Sequence, residues 1–338
     1  MIRIFHNSKY EFVRHWRLAA GLTAAFIAAG LVTFAITGSV NYSIEFTGGT
    51  LMQVEFKQAP DVGVIRSTLD KAGITGAEIQ QFGTPTEYTI RARDEKQVEA
   101  QAAGAEGISK QIETALNSQF GAGAMRVVRT EAVGPKVGAE LRQGAFLAMI
   151  ITSILTMIYL GIRFDWRFGL AAVLSTAHDI LVTFAFIKMM NLEVSLTVVA
   201  AILTLLGYSA NDTIIIFDRV REDLRKRTKG ESMAAVLDRA INETLPRSVM
   251  THATTLAATL ALLFFAGEVI RPFAWVMAFG VFVATFSSIY VAGPLLLYIE
   301  SKFPRAASEA AGRAMRDPGT PPATAPTKPR ANERAGAR

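Results

Sequence analysis

The chain has 338 residues, with 35 Lys plus Arg against 29 Asp plus Glu, 51% hydrophobic and only 19% charged residues, and a mean hydropathy of +0.30. Its apolar residues fall in blocks near the roughly 20-residue length that a 30 Å hydrocarbon core demands, which excludes an ordinary soluble enzyme. Cysteine is absent, which excludes disulfides, thiolate nucleophiles and sulfur-ligated metals together.

Residues 1–17 are basic (Arg3, Lys9, Arg14, Arg17) and lead into the first uncharged run, Leu18 to Gly38. That run is longer than the 7 to 15 apolar residues of a signal peptide, and no Ala-x-Ala-like site follows it closely, so it reads as a retained anchor. Ser39 to Gln143 is long enough for one compact domain. Its pattern is strand (Ser43 to Phe56), helix (Asp61 to Ala72), strands (Glu78 to Phe82 and Glu87 to Ala92), helix (Asp94 to Phe120) and strand (Arg126 to Val133). Leu51, Gln53 and Glu55 alternate with Met52, Val54 and Phe56, as a half-buried strand requires. The order βαββαβ predicts a ferredoxin-like α+β unit, a layout that names no function by itself.

Five more spans are expected at 144–162, 168–190, 194–217, 247–267 and 273–299. Between the fourth and fifth, 218–246 carries Val220, Leu224, Met233, Val236, Leu237, Ala240 and Ile241 at helical spacing among charges, which predicts a helical hairpin broken near Gly230. Its basic run Arg225 to Lys229 is either a solvated face beside anionic lipid or a docking surface for a partner. The tail from Pro304 holds six of the 12 prolines without apolar periodicity, and is expected to be disordered. Such a six-helix unit fits one half of a pseudo-symmetric transporter, and would need a second half.

Charge placement sets the topology. Of the Lys and Arg outside 39–143, 22 lie in the N-terminus, the hairpin, the second-to-third loop and the tail, against only Lys188 and Arg271 on the other side. The positive-inside rule puts both termini in the cytoplasm and exports 39–143, whose own net charge is −2. The basic balance thus reports topology rather than nucleic-acid binding.

Three spans carry polar stripes at helical spacing: Ser175, Thr176, Asp179 and Thr183; Thr204, Tyr208, Asn211 and Asp212; Ser248, Thr251, His252, Thr255 and Thr259. Each stripe must face protein or water, because a carboxylate turned to lipid costs about 2.5 to 3.5 kcal/mol. Asp212 lies five residues inside its span, roughly 7 to 8 Å deep at 1.5 Å per residue. A buried acid there either carries a proton from one side to the other or is a structural carboxylate paired with an arginine. Asp179, nearer the middle, is a proton relay or an interhelical hydrogen-bonding group; its neighbour His178 points to another face and reads as packing. Arg247 reads as snorkelling at the membrane edge, with a counter-ion to Asp212 as the alternative. His252 either titrates or packs. Gly280, Ala284, Ser288 and Ala292 in the sixth span form a close-packing stripe.

No nucleotide-binding chemistry is visible: Gly48 and Gly49 lack a following Gly-Lys-Ser/Thr. His6, His15, His178 and His252 form no metal-ligand spacing, and no Ser, His and acid set lies in one domain. The chain is expected to be no enzyme, to use no cofactor or metal, and to draw its energy from an ion gradient or a partner.

Eight runs stand out between about Trp16 and Glu300. The first four are Ile44-Glu45-Phe46-Thr47-Gly48-Gly49-Thr50, Val133-Gly134-Pro135-Lys136-Val137-Gly138, Arg163-Phe164-Asp165-Trp166-Arg167 and Ala177-His178-Asp179. Further along come Gly207-Tyr208-Ser209-Ala210-Asn211-Asp212, Phe217-Asp218-Arg219-Val220-Arg221-Glu222, Leu245-Pro246-Arg247-Ser248 and Thr254-Thr255-Leu256. Together these motifs resemble those of the SecD/SecF protein-export family, within the RND superfamily. The family usually has Asp where Glu45 stands, Asn at Asp223 and a small hydroxyl residue at His252.

The resemblance implies a proton-coupling role for Asp212 with Arg247 as its partner arginine, acting with an aspartate on a SecD-like subunit. Tyr208, Asn211, Asp179 and Thr255 would be supporting polar groups, and Phe46, Gly48 and Gly49 the exported motif. It implies a multi-pass protein of the inner membrane whose exported domain assists secretion, driven by the proton-motive force, while SecYEG and SecA, with YajC nearby, perform the main translocation. Two rivals remain: an RND exporter of lipids or small molecules, and a passive assembly factor of the translocon.

Overall fold

The computed structural model describes residues 8–92, 103–228 and 230–304. Residues 1–7, the start of the predicted helix Asp94 to Phe120, Lys229 and the tail from 305 onward lie outside them. In chain order the elements are α1 (Trp16–Thr37), α2 (Ile44–Thr47), β1 (Gly49–Phe56), α3 (Val62–Lys71), β2 (Glu78–Gln81), β3 (Glu87–Ala92), α4 (Ala103–Phe120) and β4 (Met125–Val133). The long helices α5 (Pro135–Arg163), α6 (Trp166–Met189), α7 (Leu196–Arg225), α8 (Met233–Phe265), α9 (Arg271–Tyr290) and α10 (Ala292–Lys302) follow. Among the described residues six spans are long and apolar enough to cross a membrane, α9 and α10 together making the sixth. This is a multi-pass membrane protein with a small antiparallel sheet domain between its first two spans.

The sheet has the order β2-β3-β1-β4, all antiparallel, the winding of a ferredoxin-like βαββαβ chain with β3 and β1 in the centre. Alternation works as expected. Met52, Val54 and Phe56 join Tyr88, Ile90, Ile65, Leu69, Ile112 and Leu116 in a core under α3 and α4, while Gln53 and Arg91 face the helix bundle. The first strand is shorter than predicted. Ile44 and Phe46 alternate like strand residues, but Ser43 starts a one-turn helix, and Gly48 and Gly49 at φ +74° and +122° turn the chain before β1 begins.

Helix starts are set by side-chain caps. Asp165 accepts from the Arg167 amide, Ser195 from Val198 and Ser232 from Ala235. The predicted boundary between hairpin and fifth span does not exist as a helix end: α7 and α8 run straight out of the bundle to form the hairpin arms, and Pro246 sits inside α8. The sixth span, predicted to be continuous, breaks at Val291, because Pro294 has no N–H for the Tyr290 carbonyl.

Helices α6 and α7 and the sixth span form the interior, with 50%, 56% and 67% of their apolar windows buried, against 11% for α1 and 6% for α5. Close approach depends on two glycines. A Cβ on Gly280 would meet the Leu205 side chain at 2.6 and 2.8 Å, and one on Gly30 would sit 2.7 Å from the Ala185 Cα. A side chain can rotate away and a backbone cannot. Gly30→Ala should therefore lower stability by about 1–3 kcal/mol, seen as a drop in the thermal midpoint in detergent, whereas Gly21→Ala, which meets nothing within 4 Å, should cost nothing.

Candidate functional site

Asp212 lies on the inner face of α7, 4% exposed, one turn beyond the buried Ser209. Its Oδ1 accepts a 2.6 Å bond from the Ser248 hydroxyl of α8, and its Oδ2 is buried without a partner. One turn along α8, His252 is 5% exposed and its Nδ1 lies 2.6 Å from the Ser248 carbonyl, which makes Nδ1 the donor and leaves Nε2 bare and buried. The Tyr208 ring meets the imidazole edge-on at 5.2 Å, and its hydroxyl donates to the Thr251 carbonyl at 3.3 Å. Asp212, Ser248, His252 and Tyr208 thus form one cluster across α7 and α8.

The other predicted residues sit elsewhere. Asn211 and Thr204 face outward from α7. Thr255, beside the cluster, bonds back to its own helix at the Thr251 carbonyl, 3.0 Å away, and its side chain also meets the Tyr208 hydroxyl. Arg247 is exposed on α8, immediately before Ser248, in a cleft of about 360 Å³ that it shares with Tyr159, Arg163, Asp218, Arg219 and Glu222. Among the described residues no ion pair joins Arg247 to Asp212; the neighbour on that helix which reaches the carboxyl is Ser248.

Asp179 forms a second buried group, deeper in the bundle. Its Oδ2 accepts from Ser209 at 2.5 Å and Ser287 at 2.7 Å, and its Oδ1 lies 3.0 Å from His178 Nδ1. One carboxyl therefore joins α6, α7 and α9. His178, expected to point away, turns back to its neighbour. Sequence reasoning missed Ser209 and Ser287. Ser209 stands three residues before Asp212 and was recoverable from helical spacing, whereas Ser287 is an isolated hydroxyl on the α9 packing face and gave no signal.

Salt links fix the hairpin arms. Asp223, 3% exposed, receives Arg239 at 3.1 Å and Arg219 at 3.6 Å; Arg219 also reaches Glu243 and Glu222, and Arg239 reaches Glu231 at 2.5 Å. This holds α7 and α8 together beyond the acid that lies between them. The N-terminal segment docks on the same arm, the Tyr10 amide donating to Asn242 and the Val13 amide to Asp238.

At the opposite end, Phe46 is buried among Val194, Val198, Ile202 and Val276, beneath the turn that Gly48 and Gly49 make. Arg91 of β3 pairs with Glu193 of the α6–α7 loop at 2.7 Å. Burial pushes the Glu193 carboxyl up, and Arg91 offsets only part of that. A raised carboxyl binds its proton more tightly folded than unfolded, so its contribution is present in acid and is lost as pH rises through the raised value. Glu193→Gln should flatten that component of a thermal-midpoint-against-pH curve between acid and neutral. Among the described residues no three His, Asp or Glu converge as metal ligands.

Residues 111–302 match the C-terminal family of protein export membrane proteins SecD/SecF, and residues 40–60 match the SecD/SecF GG motif. The chain belongs to the SecD/SecF protein-export family. It is a protein translocase subunit of SecF type, 75% identical over 316 residues to protein translocase subunit SecF of Gemmatimonas aurantiaca, covering 94% of this chain and 95% of that one. The SecF of Vibrio alginolyticus is 39% identical over 297 residues, 88% of this chain and 92% of that relative. The crystal structure of SecDF, a translocon-associated membrane protein from Thermus thermophilus, superposes with a TM-score of 0.76 at 32% identity, covering 89% of this chain. A super-membrane-facing form of SecDF gives 0.62, also at 32% identity, over 92% of this chain. This chain spans 40% and 41% of those two longer chains. The motif resemblance and the fold class read from the sequence are both borne out.

Proposed function

We propose that this SecF-type chain works with a SecD-like subunit in the inner membrane, both termini in the cytoplasm, and uses the proton-motive force to assist export after SecA and SecYEG have driven translocation, with YajC nearby. It performs no covalent chemistry of its own. The observation that carries this reading is the Asp212 carboxyl, one oxygen bonded to Ser248 and the other buried with no partner. An ionised carboxyl with an empty buried oxygen is costly, and a proton on that oxygen removes the charge. In this reading Arg247, exposed in an open cleft one residue from Ser248, answers that change, and the SecD-like subunit packs on its face. Each proton moving inward supplies about 2.3 kcal/mol per 100 mV. The longer SecDF chains that this chain resembles supply the precedent for the SecD-like partner.

The test is export by the reconstituted complex with and without a gradient. Stimulation should vanish when an uncoupler collapses the proton gradient and should not follow sodium. Stimulation that survives the uncoupler would make the chain a passive assembly factor.

A further inference from the structure

The chain between α1 and β1 is a crossroads. The Val194 amide donates to the Asn41 carbonyl at 2.7 Å, and the Ser43 amide donates to the Val194 carbonyl at 2.9 Å, which tie this segment to the chain two residues ahead of α7. Two residues on, Glu45 Oε2 accepts the Leu196 amide, the first residue of α7, at 2.6 Å, and is steadied by the Ser43 hydroxyl at 3.2 Å. A carboxylate on the first turn of a helix meets both its unpaired N–H groups and its positive end. From the other side α5 closes on the same turn: a Cβ on Gly138 would lie 3.1 Å from the Phe46 carbonyl and the Gly48 amide nitrogen.

The sheet domain touches the bundle at such points rather than across a packed face. Between them lies a cavity of about 420 Å³ whose lining includes Gln53, Thr89, Arg91, Glu131 and Trp275. Among the described residues Arg91 with Glu193, and Gly83 beside Glu268, add to the joint at Glu45. From Leu196, α7 runs without proline to Asp212, sixteen residues or about 24 Å at 1.5 Å per residue.

We propose that Glu45 is a positioning residue that fastens the start of α7 to the root of the sheet domain, so that a displacement of α7 at Asp212 is delivered to that domain. This rests on the proton-coupling reading of Asp212. It requires that proton movement and export be separable at Glu45, since the contact lies at the far end of the helix from the acid.

The experiment measures proton flux and export stimulation on the same complex with its SecD-like partner, reconstituted in vesicles. Glu45→Ala deletes the acceptor: proton flux should persist while stimulation falls by about fivefold or more. Glu45→Gln keeps a carbonyl for the Leu196 amide and should recover most of the stimulation. Gly138→Ala, which presses on the same turn without altering Glu45, should give the same uncoupled behaviour, and stands in if Glu45→Ala fails to assemble. Full stimulation in Glu45→Ala and Gly138→Ala overturns the proposal, and so does a parallel loss of flux and stimulation in both. Asp212→Asn separates the two readings. If it leaves flux intact, the assignment of Asp212 fails; if it stops flux while Glu45→Ala stays fully coupled, only the role of Glu45 fails.

Discussion

Asp212→Asn should leave the chain inserted and bound to its partner and should abolish export stimulation. Asparagine has the size of the acid, and its carbonyl can still accept from Ser248 at the 2.6 Å now held by Oδ1. The amide nitrogen would replace the partnerless Oδ2 and bury an unpaired NH2 group with its two N–H donors, a cost of about 1–3 kcal/mol that a bundle this extensively packed can absorb. What asparagine lacks is a proton to gain and release. Co-purification with the partner reads the first half of the expectation, and secretion of a reporter in the presence of a gradient reads the second. Undiminished secretion would remove the acid from the mechanism.

The second large effect is expected at Asp179, and it is one of stability. Asp179→Ala strands the Ser209 hydroxyl and the His178 ring nitrogen and leaves the Ser287 hydroxyl to the Ala284 carbonyl, 3.2 Å away on its own helix, in the region where α6, α7 and α9 meet. Each buried partner left without an acceptor costs about 1–3 kcal/mol. The variant should accumulate poorly and melt well below the parent. Asp179→Asn retains a carbonyl for the serines, so it should melt near the parent and still conduct protons. A normal melting curve for Asp179→Ala would show that the three helices do not depend on this carboxyl.

How much of this was legible in the sequence differs from element to element. Hydropathy found six spans because hydrocarbon thickness fixes their length, and alternation found the sheet because strands with one face in a core must alternate. Helix ends were misplaced wherever polarity and hydrogen bonding part company. Asp218 and Arg219 end the apolar run of α7, yet its backbone ladder continues to Arg225, and the boundary expected between residues 246 and 247 lies inside α8. At the site, Asp212 and Asp179 were visible because an acid among apolar residues is rare. Their partners were not: Ser248 was one polar residue of a stripe of five, and Ser287 belongs to a helix whose spacing spoke only of packing. The distance of Arg247 from the acid is likewise a property of side-chain direction, which spacing on a single helix does not specify.

The bareness of α5, with only 6% of its apolar window covered by its own chain, bears on how such a subunit is told apart from its neighbours. In water that surface would draw any greasy object to it. In a bilayer it draws nothing, because acyl tails suit leucine as well as another helix does. The address must then be spelled by the few hydrophilic atoms turned outward, those of Asn211 among them, and a wrong companion is refused for leaving such atoms unanswered rather than for a poor fit of its oily side.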